Sequence, residues 1–410
     1  MQAQAVWLAP PDATPEQRAA EEWSERLDEL LERVGTQFFS RSDLRHRAQK
    51  YVRSLLGGVH RVDADFRTTA DNSAFWLQQH LLGRSVWDSD ELRDYIQRYV
   101  VNGLADSSGS GVLVLDEAAF RKKGNASAGV ARQYAEALGG AVSCQVGVMA
   151  FWSTRIGTAL VDRELYLPPE WDTDQERRQR AHIPDAVGHV PKQELVRRIV
   201  EHFLERAPRT ASAGAWIVAD TRLGCDRELR AFLEERGVPH MVGIPPYHSV
   251  LPHPGWRRVS RLVQRYAEDR DWGRLPVDTE PVDAGRPWEW WVRRIPSDPE
   301  PRQSAARQMA RWLIVCRRAG DSQPRRYFIA RGPADVPLDD LAAVVAAWRN
   351  SRGALAAAVE RCGLEAYRVR SWHGWYRHVT LAQLAVAFLA VQAGGHACGE
   401  REQDLLPGRR

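Results

Sequence analysis

The chain has 410 residues, a formal charge of +4 and 44% hydrophobic residues. That length fits two or three domains, and that hydrophobic share can build a packed core, which excludes a wholly disordered chain. No apolar run reaches the roughly 18–20 residues needed to cross a bilayer; the longest, Leu381–Ala393, is interrupted by Gln383 and Gln392. Met1–Pro11 lacks the charged start and apolar block of a secretory leader, so the expected location is cytoplasmic. The five cysteines (Cys144, Cys225, Cys316, Cys362, Cys398) show no C-x-x-C spacing and the histidines no H-E-x-x-H, so neither a disulfide framework nor a zinc motif is expected. Arginine outnumbers lysine 53 to four. A GC-rich genome explains that bias, and so does phosphate binding, which suits the guanidinium fork. The sixteen tryptophans serve equally well as core, interface or base-stacking groups.

Residues 12–104 read as helical. Thr14 is a cap, Pro15 suits the first helical position, and Trp23, Leu27, Leu30, Leu31, Val34 and Phe38 keep helical spacing. A second helix covers Ser42–Leu56, with Leu44, Ala48, Tyr51, Val52 and Leu55 on its apolar face. His46, Lys50 and Arg53 line another face, which is either solvated or a DNA contact. A third helix starts after Asp88, with Glu91 three residues on as a capping-box pair, and ends near Gly103. The segment from Ser107 to Gly111 is a linker.

After the linker the pattern changes. Val112–Leu115 is continuously apolar, as in a strand buried on both faces, and it ends at Asp116. Residues 142–152 and 157–167 read as two more strands, 191–206 as a helix, and 215–219 as a buried strand ending at Asp220. A helix at 226–236 and a strand at 240–244 follow. Three strands, helix, strand, helix, strand is the element order of a ribonuclease-H-like domain. In that α/β fold the first and fourth strands are neighbours, so the analogy brings Asp116 and Asp220 together. Residues 246–335 interrupt the pattern; they are rich in Arg, Pro and Trp, with strand-like pieces at 288–295, 312–317 and 326–330. Helical sequence returns at 337–364 and 381–392. The expected organisation is therefore a helical N-terminal, DNA-binding-like domain (1–106), the first part of a ribonuclease-H-like core (107–245), an inserted β-rich subdomain (246–335), the C-terminal helices of the core (336–395) and a tail (396–410).

Paired carboxylates at strand ends suit two-metal phosphoryl transfer, in which two Mg²⁺ ions about 4 Å apart activate the attacking oxygen and stabilise the leaving one. Taken alone, an aspartate at a strand end is equally a turn or capping residue. The surrounding words are more specific. Val112–Glu117, Phe120–Gly124, Arg132–Tyr134 and Cys144–Val148 resemble bacterial insertion-sequence transposases of the DDE class, in the seven-hundred-and-one branch related to the larger group four. Asp162–Pro168 and Arg370–His378 are similar to two further signatures of that branch. The resemblance implies a ribonuclease-H-like catalytic domain, a helical DNA-binding region and a β-rich insertion. It also implies Mg²⁺- or Mn²⁺-dependent cutting and joining of double-stranded DNA at transposon ends, by a homodimer. By position, Asp116 and Asp220 match the first two family acids and would be metal ligands. Related transposases stack an insertion tryptophan on a flipped base; Trp288, Trp290 and Trp291 lie in the matching region, and core packing explains them as well. Lys122, Lys123, Arg132, Arg370 and Arg377, with Lys50 and Arg53, complete the candidate DNA contacts. His373 and His378 read as a packing segment behind the catalytic centre or, less simply, as metal ligands.

The third family acid belongs on the helix after the insertion. Anchoring on Trp348 puts Ser351 there; anchoring on Gly363-Leu364 puts Arg352 there. Neither is an anionic ligand. Glu360 lies nine residues beyond Ser351, about 13 Å along a helix, so it is a weak substitute. Asp339 and Asp340 are nearly as far away, and Glu117 points to the face opposite Asp116. Arg352 beside two aspartates would act as a fixed counter-ion. Thr221 and Leu223 replace a family acid and tyrosine, and Arg61-Val62-Asp63 replaces an Arg-Lys-Asn motif. The expectation is a transposase-like DNA-binding protein, impaired in metal-dependent cleavage and retained as a regulator or accessory factor. The alternatives are an active transposase with a non-standard third ligand and a transposase fold with a non-nucleic-acid role.

Overall fold

The computed structural model describes residues 15–57, 79–106, 111–250, 258–268, 271–274, 286–296, 308–322, 324 and 326–404, with side chains described from 19 to 394. The Arg61-Val62-Asp63 replacement lies outside the described residues, as do most of the 107–111 linker and the tail side chains.

The helices described first are α1 (Pro15–Phe38), α2 (Ser42–Leu56) and α3 (Ser89–Gly103). Each is amphipathic. The buried side of α2 is Leu44, Ala48, Tyr51, Val52 and Leu55, the expected set, and Asp88 caps α3 by accepting from the Asp90 and Glu91 amides at 2.7 and 3.1 Å. The strands then follow: β1 (Val112–Arg121), β2 (Ala131–Ala135), β3 (Gly140–Ser153) and β4 (Thr158–Leu165). Helix α4 (Lys192–Arg206) leads to β5 (Trp216–Ala219), α5 (Thr221–Gly224), α6 (Arg227–Glu235) and β6 (His240–Ile244).

Strand β3 pairs antiparallel with both β1 and β4, β1 pairs parallel with β5, and β5 parallel with β6. The order β4-β3-β1-β5-β6 is that of a ribonuclease-H-like sheet. Strand β2, which the sequence pattern did not reveal, adds a hairpin on the first half of β3. Its burial does alternate, with Arg132 and Tyr134 exposed on one face and Ala131 and Ala135 buried on the other, but two alanines are too small an apolar signal to mark a strand.

The segment after β6 adds α7 (Val259–Tyr266), β7 (Gly273–Arg274), β8 (Trp288–Ile295), β9 (Met309–Arg318) and β10 (Arg326–Pro333). These strands join the core sheet itself: β10 pairs antiparallel with β6, Tyr327 opposite Ile244, and the order continues β10-β9-β8-β7. Among the described residues the sheet thus has ten strands. On its outer half, one face carries Trp291, Ile295, Leu313, Val315, Tyr327 and Ile329 under α7. The other face carries Trp290, Trp312, Ile314 and Phe328, which belong to the main core. Two long helices close the chain, α8 (Leu338–Cys362) and α9 (Trp372–Asp404). Helix α9 starts nine residues before the sequence pattern suggests, because Trp372, Trp375 and Tyr376 already bury on its first turns.

The N-terminal helices are tied to the core by a buried ion cluster. The Asp162 carboxylate on β4 accepts from Arg93 of α3 at 2.8 Å and lies 3.0 Å from His202 Nδ1 of α4. The other nitrogen of His202 lies 2.9 Å from Asp94, and Arg163 reaches Asp90 at 2.8 Å. With the Asp162 and Arg163 side chains almost wholly buried, the three acids and three cations compensate each other as burial demands. Burial alone would depress the His202 imidazole, but Asp162 and Asp94 lift it to about 9. Burial raises the Asp94 and Asp162 carboxyls, but the cations hold both below the usual carboxylate range.

A histidine with a raised folded pKa stabilises fully below its unfolded value near 6.5, and that stability is lost as pH rises through about 9. His202→Gln is therefore expected to lose on the order of 2 kcal/mol at pH 7. Urea denaturation from pH 6 to 10 should show the gap from the parent protein narrowing from about pH 6.5 and nearly closed by about pH 9.

Candidate active site between β1 and β5

Asp116 lies within β1 and Asp220 directly after β5. Because Leu115 pairs with Ala219, the two carboxylates stand side by side. Asp220 also caps α5, its Oδ1 accepting from the Thr221 amide at 2.6 Å. Asp116 Oδ1 accepts from the Glu117 amide at 2.8 Å. One glycine makes this geometry fit. A Cβ at Gly243 on β6 would collide with the Thr221 backbone, so only glycine lets β6 run beneath the turn that carries Asp220.

A guanidinium stands over the pair. Arg352 of α8 donates to Asp220 Oδ2 at 2.6 Å, and its Nε lies 3.8 Å from Asp116 Oδ2. Helix α8 is anchored one turn earlier by Trp348, packed edge-on against Trp288 and Phe328 at ring distances of 5.9 and 5.1 Å. Ser351, the other residue expected at the third acidic position, is fully buried and donates to the Trp348 carbonyl at 2.9 Å. Its hydroxyl is thereby spent within α8. Glu360 is exposed, eight residues beyond Arg352, or about 12 Å along the helix. Asp340 pairs with Arg155 at 3.3 Å, away from the site.

Burial pushes the Asp116 carboxyl up to about 6; Arg352 pulls it down and Asp220 pushes it up again. A wider chain of charges surrounds the pair. Arg326 of β10 lies 3.9 Å from Asp220 and 2.8 Å from Glu136. Arg222 of α5 lies 3.6 Å from Glu136 and 3.8 Å from Glu117, and Lys192 of α4 holds Glu117 at 3.0 Å. Glu117 thus faces Lys192 and is not part of the aspartate pair. Sequence reasoning singled out neither Arg326, Arg222, Glu136 nor Lys192. They come from four separate segments, and no spacing in the sequence links them.

The remaining candidates are scattered. Lys123 and Arg132 are exposed. Lys122 is partly buried, its ammonium 3.6 Å above the Tyr367 ring, and burial lowers it to about 8. Trp288 packs between Trp348 and Arg318. Trp290 and Trp291 are buried on opposite faces of the sheet, and stacking on a base would require either ring to leave its core. Arg377 donates to the Leu82 carbonyl at 3.1 Å and is half-buried, which makes it a brace between α9 and the N-terminal helices. Arg370 is exposed, and its carbonyl accepts from the Ala128 amide. Lys50 and His46 face solvent, and Arg53 pairs with Asp28 of α1. His373 is exposed. His378 is buried between the Tyr51 hydroxyl at 2.7 Å and the Leu364 carbonyl at 3.1 Å. Burial lowers it to about 4, so the neutral ring accepts from Tyr51 and donates to Leu364. The two histidines share no ligand position.

The ribonuclease-H-like sheet brings two aspartates side by side just past the last parallel pair of β1 and β5, an arrangement of the kind that suits two-metal phosphoryl transfer. The family model for the DDE superfamily endonuclease matches residues 36–312, about two thirds of the sequence, and the chain belongs to that family. The match includes Asp116 and Asp220 and stops before Arg352. No curated protein matches the chain closely enough to supply a relative. Divalent metals are typical of the family. Among the described residues, no group of three or more His, Cys, Asp or Glu side chains converges as a metal ion requires. Nor is any helix among them long and apolar enough to cross a membrane.

Because the folded pKa of Asp116 is raised, its ionisation costs stability; the cost is absent below about pH 4 and grows until pH passes about 6. Asp116→Asn is therefore expected to gain stability relative to the parent across that window. Arg352→Gln, which removes the attractive cation, should move the Asp116 titration above 6 in carboxyl-carbon NMR.

Proposed function

We propose that this protein is a transposase-type DNA-binding protein in which metal-dependent strand cleavage is blocked at the catalytic pair. The observation that carries the reading is Arg352, whose guanidinium bridges Asp116 and Asp220 at 3.8 and 2.6 Å. A two-metal centre places two dications about 4 Å apart among hard oxygen ligands. Here the donor set is two carboxylates, and a fixed cation already occupies the space between them. A dication entering that space would meet charge repulsion and would find one anion fewer than it needs. The residues present do not fit the metal pair, so no catalytic step is assigned to them.

A non-standard third ligand receives no support. Glu360 is exposed and lies more than two turns along α8, and Glu117 is committed to Lys192. The DNA-binding part of the reading rests on family membership and on the amphipathic N-terminal helices. The proposal extends to a regulatory or accessory role in the cytoplasm, exercised by a homodimer on double-stranded DNA.

Isothermal titration of the parent protein with Mn²⁺ is expected to show no binding at millimolar metal, and incubation with its own flanking DNA ends and Mg²⁺ or Mn²⁺ should leave them uncut. Arg352→Glu, which restores an acid at that position, is expected to bind Mn²⁺. Cleavage by the parent protein that disappears in Asp116→Asn would sink the reading.

A further inference from the structure

Helix α7 carries arginine at Arg258, its capping position, and then at Arg261 and Arg265, all exposed. These positions recur at three and seven residues, so they form one stripe about 10 Å long. Beside the stripe, Tyr266 is 41% exposed. The Arg293 guanidinium, from β8, lies 4.4 Å above its ring and that of Arg265 5.7 Å away. Arg293 reaches this place because β8 alternates: Trp291, Arg293 and Ile295 face α7, while Trp290 faces α8. None of the four arginines has an ion pair among the described residues. Two nearby acids are engaged elsewhere: the Asp271 carboxylate accepts from the Glu268 amide at 3.0 Å, and Glu289 binds Arg317 at 2.9 Å.

The patch lies on the sheet face opposite Arg352. Arg352 stands on α8, whose Trp348 packs with Trp288 and Phe328 on the other side.

We propose that Arg258, Arg261, Arg265 and Arg293 form a second, sequence-independent contact for the sugar-phosphate backbone of duplex DNA, on the sheet face away from the aspartate pair. This deepens the DNA-binding reading above and rests on it. The stripe's length spans about three base pairs at 3.4 Å per step, enough for several phosphates. Unpaired guanidiniums keep their full charge for phosphate, and the Tyr266 ring holds two of them in place, lowering the ordering cost. A base does not stack here, because arginines already approach the ring. An anionic membrane is disfavoured, because the apolar side of α7 (Val259, Leu262, Val263) is buried against the sheet and offers nothing to insert.

The test is fluorescence anisotropy with a random-sequence DNA duplex, from 50 to 200 mM salt. The variant Arg258→Gln/Arg261→Gln/Arg265→Gln/Arg293→Gln is compared with the parent protein. The control variant Arg41→Gln/Arg155→Gln/Arg180→Gln/Arg236→Gln removes the same charge from arginines already paired with acids. Each lost phosphate contact should flatten the slope of log K against log salt by about 0.9. The patch variant is expected to lose about 2–4 of slope and at least about tenfold in affinity at 50 mM salt, while the control loses less than about 1. Equal slopes for patch variant and control overturn the patch while leaving DNA binding intact. A parent protein that binds no DNA at low salt overturns both this proposal and the DNA-binding reading. Patch-dependent binding to phosphatidylserine vesicles, with DNA binding unchanged, assigns the surface to lipid and overturns it as well.

Discussion

Asp116, within β1, and Asp220, directly after β5, stand side by side where the parallel pairing of the two strands stops, mostly shielded from water. Two negative charges so placed repel each other and lose hydration, so the site is tenable only with a cation between them or a proton on one of them. Here both answers are visible. Arg352 supplies a permanent positive charge, and the Asp116 carboxyl is nevertheless pushed into the range of a weak acid. Arg326, Glu136, Arg222, Glu117 and Lys192 then balance in sequence around the strand ends. The region is electrically closed without outside help.

That closure depends on backbone features set far from the charges. Gly243 lets β6 pass beneath the Asp220 turn, and the Trp348 contact with Phe328 fixes the rotation of α8 that delivers Arg352. Since Phe328 sits on β10, the insertion strands help decide where the guanidinium falls. The cluster around Asp162 and His202 plays a comparable part for the helices, using three acids and three cations to seat α3 on β4 and α4.

Much of this was legible in the sequence, and for identifiable reasons. The first four residues of β1 and the whole of β5 are continuously apolar because both faces are covered, and such runs stand out; β5 ends at Asp220 as its pattern indicates, whereas β1 runs on past Asp116 to Arg121, where pairing with β3 alone carries it. The limits of α2 and the cap of α3 follow from helical spacing and from Asp88. What stayed hidden depended on partners distant in the chain. Strand β2 has two outward polar residues and gains its identity only from pairing with β3. The early start of α9 is encoded by aromatic residues whose burial needs the rest of the core. Arg352 was readable as a misplaced cation, but Arg326 and Lys192 were not, because nothing local distinguishes them from other basic residues. The tryptophans of β8 illustrate the opposite limit: composition left base stacking open for Trp290, and only the sheet's two covered faces decide its place.

The pairing of β10 with β6 has a consequence for how such a chain evolves and is handled. Five residues of each strand are zipped together across the junction between core and insertion. Excising 246–335 would therefore leave β6 as a bare, apolar sheet margin with unmet amides and carbonyls, a template for self-association. The insertion is in this sense a sealed seam, and shortened forms of the protein should be sought in inclusion bodies before they are sought in solution.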